Sequence, residues 1–129
     1  MPNIRRMQQI LRNEHARRVH VQLPGIDFEV RPAVFQEVAG RLVLPNAHVA
    51  GTIAVVVDAR LGNFAQYRFR INELAVSGEG FPSTQFQESL LIHEAVHAYH
   101  DLRGFRLQWD TDEMLAYVAD VIHRFVREQ

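Results

Sequence analysis

Apolar and polar positions alternate along this chain with two different periods, and the changes of period mark the elements. Within residues 3–16, Ile4, Met7, Ile10 and Leu11 recur at helical spacing, with arginines on the other faces, so a helix is predicted there. From Val19 the spacing drops to two: Val19, Val21 and Leu23, then Ile26, Phe28 and Val30 beyond Pro24-Gly25, which predicts two short strands. Pro32 can open a helix running to about Leu42, with Phe35, Val38 and Ala39 turned inward. The β-branched stretch from Thr52 to Val57 is the clearest strand. Tyr67, Phe69 and Ile71 alternate with Arg68 and Arg70, and Gly62-Asn63 between the two stretches predicts a hairpin joining them.

After the loop "VSGEGFPST" a long helical pattern begins at Ser83 or Thr84 and runs to Arg103, where Gly104 stops it. A last helix is predicted from near Thr111 almost to the end. The order is helix, strands, helix, hairpin, two helices. That is an α+β pattern, in which helices pack on a small antiparallel or mixed sheet. No repeat, linker or low-complexity tract interrupts it, so residues 1–129 read as one domain.

Composition narrows the chemistry. There is no cysteine, which excludes disulfides, thiolate metal sites, iron–sulfur clusters and thiol nucleophiles; any metal must be held by His, Asp or Glu. The net charge is -1, so no global field draws the chain to nucleic acid or membrane. All 14 basic residues are arginine. Arg5, Arg6, Arg12, Arg17 and Arg18 form a basic cluster without interleaved aromatics, which reads first as a solvated helix face and second as a partner-binding face. The N-terminal stretch is too polar for a signal peptide and no apolar run is long enough to span a bilayer, so the default expectation is the cytoplasm; signal-independent export as an effector is compatible with it.

The chemistry concentrates in "LIHEAVHAYHD", residues 91–101. His93, Glu94 and His97 form HExxH, and His100 follows. At 3.6 residues per turn the two histidines stand one turn apart on one face and can share a zinc ion. Glu94 is turned about 100° aside and reaches a water rather than the metal. Zinc brings such a water toward a pKa of ~7, and the carboxylate takes its proton as the water attacks a carbonyl. In a chain with 7 His, chance alone produces the motif roughly once in 40 sequences of this composition, so context has to decide. On a helical wheel the three histidines cluster opposite the broad apolar arc of Leu91, Ala95, Ala98 and Leu102, with Phe86 and Leu90 beside them, as in a half-covered cleft. His100 lies about 10 Å along the axis from His93, too far to share its metal on a straight helix. It is read as a supporting, substrate-contacting or simply polar residue.

A catalytic zinc takes three protein ligands and keeps one position open. The HExxHxxGxxH spacing fails at His100 and Arg103, a deformylase-like site lacks its cysteine, and an HxxxHxxxxxH site also fails at Arg103. An acid from the last helix remains: Asp110, Asp112, Glu113 or Asp120. Here "HEAVHAYHD" with "EMLAYVAD" resembles the gluzincin branch of the zincin-type zinc metallopeptidases, over residues 86–125. The resemblance implies a small zincin-like domain whose twisted sheet packs on the HExxH helix and the C-terminal helix. It implies His93, His97 and Glu113 as ligands of one zinc ion, with Asp112 as the fallback, and Glu94 as general base. It also implies supporting roles for Asp101 and Asp120.

A competing role for Glu113 is a capping box with Asp110, stapled by Trp109 and Met114. Tyr117, and after it His100, are the candidates for stabilising an oxyanion. Relatives of this type hold substrate along a sheet edge, and residues 51–58 are the candidate edge strand. The function so implied is hydrolysis of peptide bonds in a protein or peptide substrate, by a narrow processing protease, an effector or a subunit of a larger assembly. The alternatives are a zincin-shaped regulatory module without catalysis, and an arginine-rich interaction domain with structural histidines.

Overall fold

A computed structural model of residues Met1–Gln129 is an α+β domain of four helices on a four-stranded mixed sheet. The elements are α1 (Ile4–Arg12), α2 (Pro32–Arg41), β1 (Leu42–Val43), β2 (Ile53–Val57), β3 (Ala65–Arg68), β4 (Glu73–Val76), α3 (Gln85–Leu102) and α4 (Trp109–Arg127). Local chemistry sets several boundaries. Asn3 caps α1 by accepting from Arg6 N–H, Pro32 opens α2, and Thr84 caps α3 by accepting from Gln87 N–H. Gly104, at φ +70°, carries the chain out of α3 in the left-handed region that glycine tolerates.

The sheet order is β1-β2-β4-β3. β2 pairs in parallel with β1 and β4, while β3 and β4 pair antiparallel with Tyr67 opposite Leu74. The expected hairpin across Gly62-Asn63 is therefore absent: β2 and β3 are not neighbours. The hairpin instead joins β3 to β4, turning through Arg70 and Asn72, both at positive φ. Polar residues accomplish this turn, and the alternation of Phe69 and Ile71 concealed it. Residues 51–58 are likewise not an edge. β2 lies inside the sheet, where a continuous β-branched run belongs. The exposed edge nearest α3 is β3. The two strands expected within 19–30 reduce to one antiparallel bridge, Val21 to Val30.

One apolar core forms between sheet and helices. Ile53, Val55, Leu74 and Val76 from the sheet meet Phe35 of α2 and Ile92 of α3. α3 is central: it packs on α1, α2, α4 and β3, and its longest interface is with α4. No helix is long and apolar enough to cross a membrane.

Polar contacts also lie buried among the helices, and one bears directly on stability. Deep between α3 and α4, Ser89 Oγ lies 3.0 Å from His123 Nδ1, and the ring is wholly buried. Burial pushes the His123 pKa down to about 4. Above pH 6.5 the ring is neutral folded and unfolded, so its contribution to stability is fully present there. Between 6.5 and 4 only the unfolded chain takes up the proton, and stability falls as the pH falls. The full window corresponds to a loss on the order of 3 kcal/mol. Denaturant titrations at a series of pH values should show a shallower decline across that window in His123→Gln than in wild type; parallel declines would contradict the assignment.

Candidate metal centre

The α3–α4 interface converts the HExxH spacing into a pocket of ligands. His93 and His97 project from successive turns of α3 toward α4, where Asp112 and Glu113 near its start and Asp120 about two turns further on face them. His93 Nδ1–H donates to Asp120 Oδ2 (2.6 Å), and His97 Nδ1–H donates to Asp112 Oδ1 (2.9 Å). A carboxylate only accepts, so each bond draws a ring proton to Nδ1; a second proton on Nε2, facing Glu113, makes the ring cationic, and its loss leaves Nε2 as a lone-pair donor. The two Nε2 atoms converge on Glu113: His97 Nε2 is 3.3 Å from Oε1, and His93 Nε2 meets the same oxygen. The three ligand atoms lie within 4.8 Å of one another.

This donor set fits zinc. Two imidazoles and one carboxylate are present, both imidazoles have carboxylate partners behind them, and the protein contributes three ligands. The electrostatics favour a cation as well, since Glu94, Asp112, Glu113 and Asp120 surround two rings. Burial opposes charging of His93 and His97. The hydrogen bonds to Asp120 and Asp112 and the nearby carboxylates outweigh it, and both rings are raised above the ordinary imidazole range. Burial also raises the carboxyl of Glu94, against the lowering effect of the Tyr67 N–H. Asp112 is held below the usual carboxylate range: the bonds from His100 and His97 overcome its burial.

Glu94 occupies the other wall. Its Oε1 accepts from the backbone N–H of Tyr67 on β3 (2.7 Å), and its Oε2 lies 3.9 Å from His93 Nε2. The Tyr67 hydroxyl donates to Asp101 Oδ2 (2.6 Å), so one residue fastens β3 to α3 at points two helical turns apart. Asp101 meets no histidine; it anchors the strand that holds Glu94. Asp112 is not the ligand of the fallback assignment but the partner of His97. Asp120 does support a ring, that of His93, and it accepts in turn from Arg124 Nη2 (3.1 Å).

The capping box is absent. Gln108, not Asp110, precedes α4, and its side chain makes no capping bond. Glu113 is free of that duty. Trp109 does not staple Met114 but stacks on His97, ring centroids 5.2 Å apart and planes within 9°. Phe69 approaches the same ring edge-on at 5.8 Å. His100 is 1% exposed and so cannot touch substrate; its Nδ1–H donates to Asp112 Oδ1 (2.9 Å). The half-covered cleft expected from Phe86 and Leu90 exists: with Ser89, His93, Tyr117 and Arg124 they line a cavity of about 210 Å³. Tyr117 is 58% exposed at its rim. The basic cluster of Arg5, Arg6, Arg12, Arg17 and Arg18 is solvated, all five being exposed.

Sequence reasoning missed Tyr67, Phe69 and Trp109. The first two lie on and beside β3, whose approach to α3 no local spacing encodes. Trp109 was assigned to the wrong contact. No family model, curated relative or solved structure matches the chain.

Binding a metal here must displace protons, because both rings are shifted toward the charged form at neutral pH. Zinc titrations by calorimetry at pH 7 in buffers of different ionisation enthalpy should reveal net proton release. Affinity should weaken as the pH is lowered, beginning above 6.5. Affinity independent of pH between 6 and 8 would contradict the ligand assignment. His93→Ala and His97→Ala should each abolish tight binding.

Proposed function

We propose that the protein is a zinc-dependent metallopeptidase. One observation carries this reading. The HExxH histidines present Nε2 to a shared point with Glu113, each with Nδ1 tied to a carboxylate, while the motif's own glutamate stands beside that point on a separate tether. A histidine pair that merely filled a helix interface would not need a third ligand and two oriented rings.

Zinc, when bound, supplies a Lewis acid that polarises a water and a peptide carbonyl. The remaining steps belong to the chain. His93, His97 and Glu113 would hold the ion, and Asp120 and Asp112 fix the ring tautomers. Glu94 accepts the proton of the attacking water and returns it to the leaving amine. The Tyr67 N–H occupies Oε1, which leaves Oε2 for that exchange. Burial raises the Glu94 carboxyl above its ordinary value, which makes the carboxylate a stronger proton acceptor. The Tyr117 hydroxyl, on the rim of the adjoining cavity, is the candidate to stabilise the oxyanion. β3 presents the sheet edge along which an extended peptide can lie.

Glu94→Gln should bind zinc with near wild-type affinity yet lose at least about 100-fold in peptide hydrolysis, read by mass spectrometry on an unbiased peptide mixture. Full activity in that variant would sink the catalytic assignment. Zinc binding by wild type without any cleavage would favour a regulatory module. Tyr117→Phe should lower kcat about tenfold with little change in KM if its hydroxyl acts only in the transition state; an unchanged kcat would remove it from the mechanism.

A further inference from the structure

We infer that His100, the third histidine of HExxHxxH, is a positioning residue that sets metal affinity through Asp112 without touching the metal. The inference rests on the metal centre described above and adds a layer to it. Asp112 Oδ1 is a single oxygen with two donors: His97 Nδ1–H and His100 Nδ1–H, each at 2.9 Å. His97 and His100 are three residues apart on α3, so their rings follow one another down one face and converge on one acceptor from α4.

Two donors fix what one leaves free. A carboxylate held only by His97 could rotate about its Cα–Cβ and Cβ–Cγ bonds. Asp112 also sits in the opening turns of α4, where uncommitted backbone N–H groups compete for a carboxylate. The bond from His100 removes that freedom, and the His97 ring then stands in its ligating orientation before any ion arrives. His100 is itself rigid. It is 1% exposed, and Phe28, Tyr99 and Phe105 surround its ring at centroid distances of 6.2, 6.0 and 6.1 Å. The donor is therefore delivered by a locked side chain on the same helix as both histidine ligands.

A structural alternative makes a different prediction. If His100 only fills the aromatic pocket, a phenyl ring should replace it at no cost to the metal. The test is zinc affinity by chelator competition, with apo-protein circular dichroism and melting as the check on folding. His100→Phe keeps the ring and removes the donor, and should weaken zinc binding about tenfold or more. His100→Asn returns an N–H near the position of Nδ1 and should recover most of that loss. In an Asp112→Ala background His100→Phe should have little further effect, because the two act through one carboxylate.

Should His100→Phe fail to fold, the wild-type protein decides. The His100 Nδ1 proton of the zinc-loaded form should be visible by NMR and protected from solvent exchange. A freely exchanging proton would overturn the inference. So would wild-type affinity in a folded His100→Phe variant, or losses that add independently in the double variant. Wild-type protein that takes up no zinc at all would bring down the metal reading, and this inference with it.

Discussion

Two hydrogen bonds across the α3–α4 interface organise this molecule's chemistry: His93 to Asp120 and His97 to Asp112. Each joins a ring on one helix to a carboxylate on the next, and each removes a rotational and a tautomeric freedom from a candidate metal ligand. The rest of the centre depends on them. Without them the two Nε2 atoms have no fixed direction, and Glu113 has no shared point to complete. The two helices also share one apolar core, to which Ile92, Val96, Leu115, Ala116 and Ala119 belong. Polar and apolar contacts therefore act in the same sense, each keeping the other in register.

The opposite wall follows a different logic. β3 is an edge strand, and edge strands carry unpaired amides that invite association. One of these amides, Tyr67 N–H, is matched to the carboxylate of Glu94. The phenol of the same residue reaches Asp101, so strand and helix are fastened at both ends of the side chain. The general-base candidate is thus held by the sheet, while the candidate ligand rings are oriented by carboxylates of the following helix. The cleft lies where these two supports meet α3.

Much of this was legible in the sequence, and the rest was hidden for identifiable reasons. α2, α3 and β2 follow from local signals: Pro32, the Thr84 cap with Gly104, and a β-branched run. The α+β class follows from their order. Strand pairing did not, because the choice between β2–β3 and β3–β4 hairpins depends on which segment fills the slot beside β2, a non-local question. The HExxH residues were found by spacing. Glu113 was reached by resemblance, and the geometry brings it to the histidines. The particular partners of Asp101 and Asp112 were not legible, because a carboxylate near a histidine in sequence does not reveal which nitrogen, or which other donor, it will face. The burial of His100 was missed because the wheel shows only its own helix, not the aromatic residues that cover it from elsewhere.

Asp112 and Glu113 are neighbours in the chain, yet they address opposite sides of one imidazole. The shorter acid meets His97 Nδ1 from within the helix interface, and the longer one extends around to Nε2. A difference of one methylene group thus separates an inner from an outer partner of the same ring. Two side chains with the same charge and nearly the same acidity are therefore not exchangeable here. The dipeptide carries directional information: transposing it to Glu-Asp would conserve composition, charge and helix propensity while leaving the ring gripped at the wrong reach on both sides.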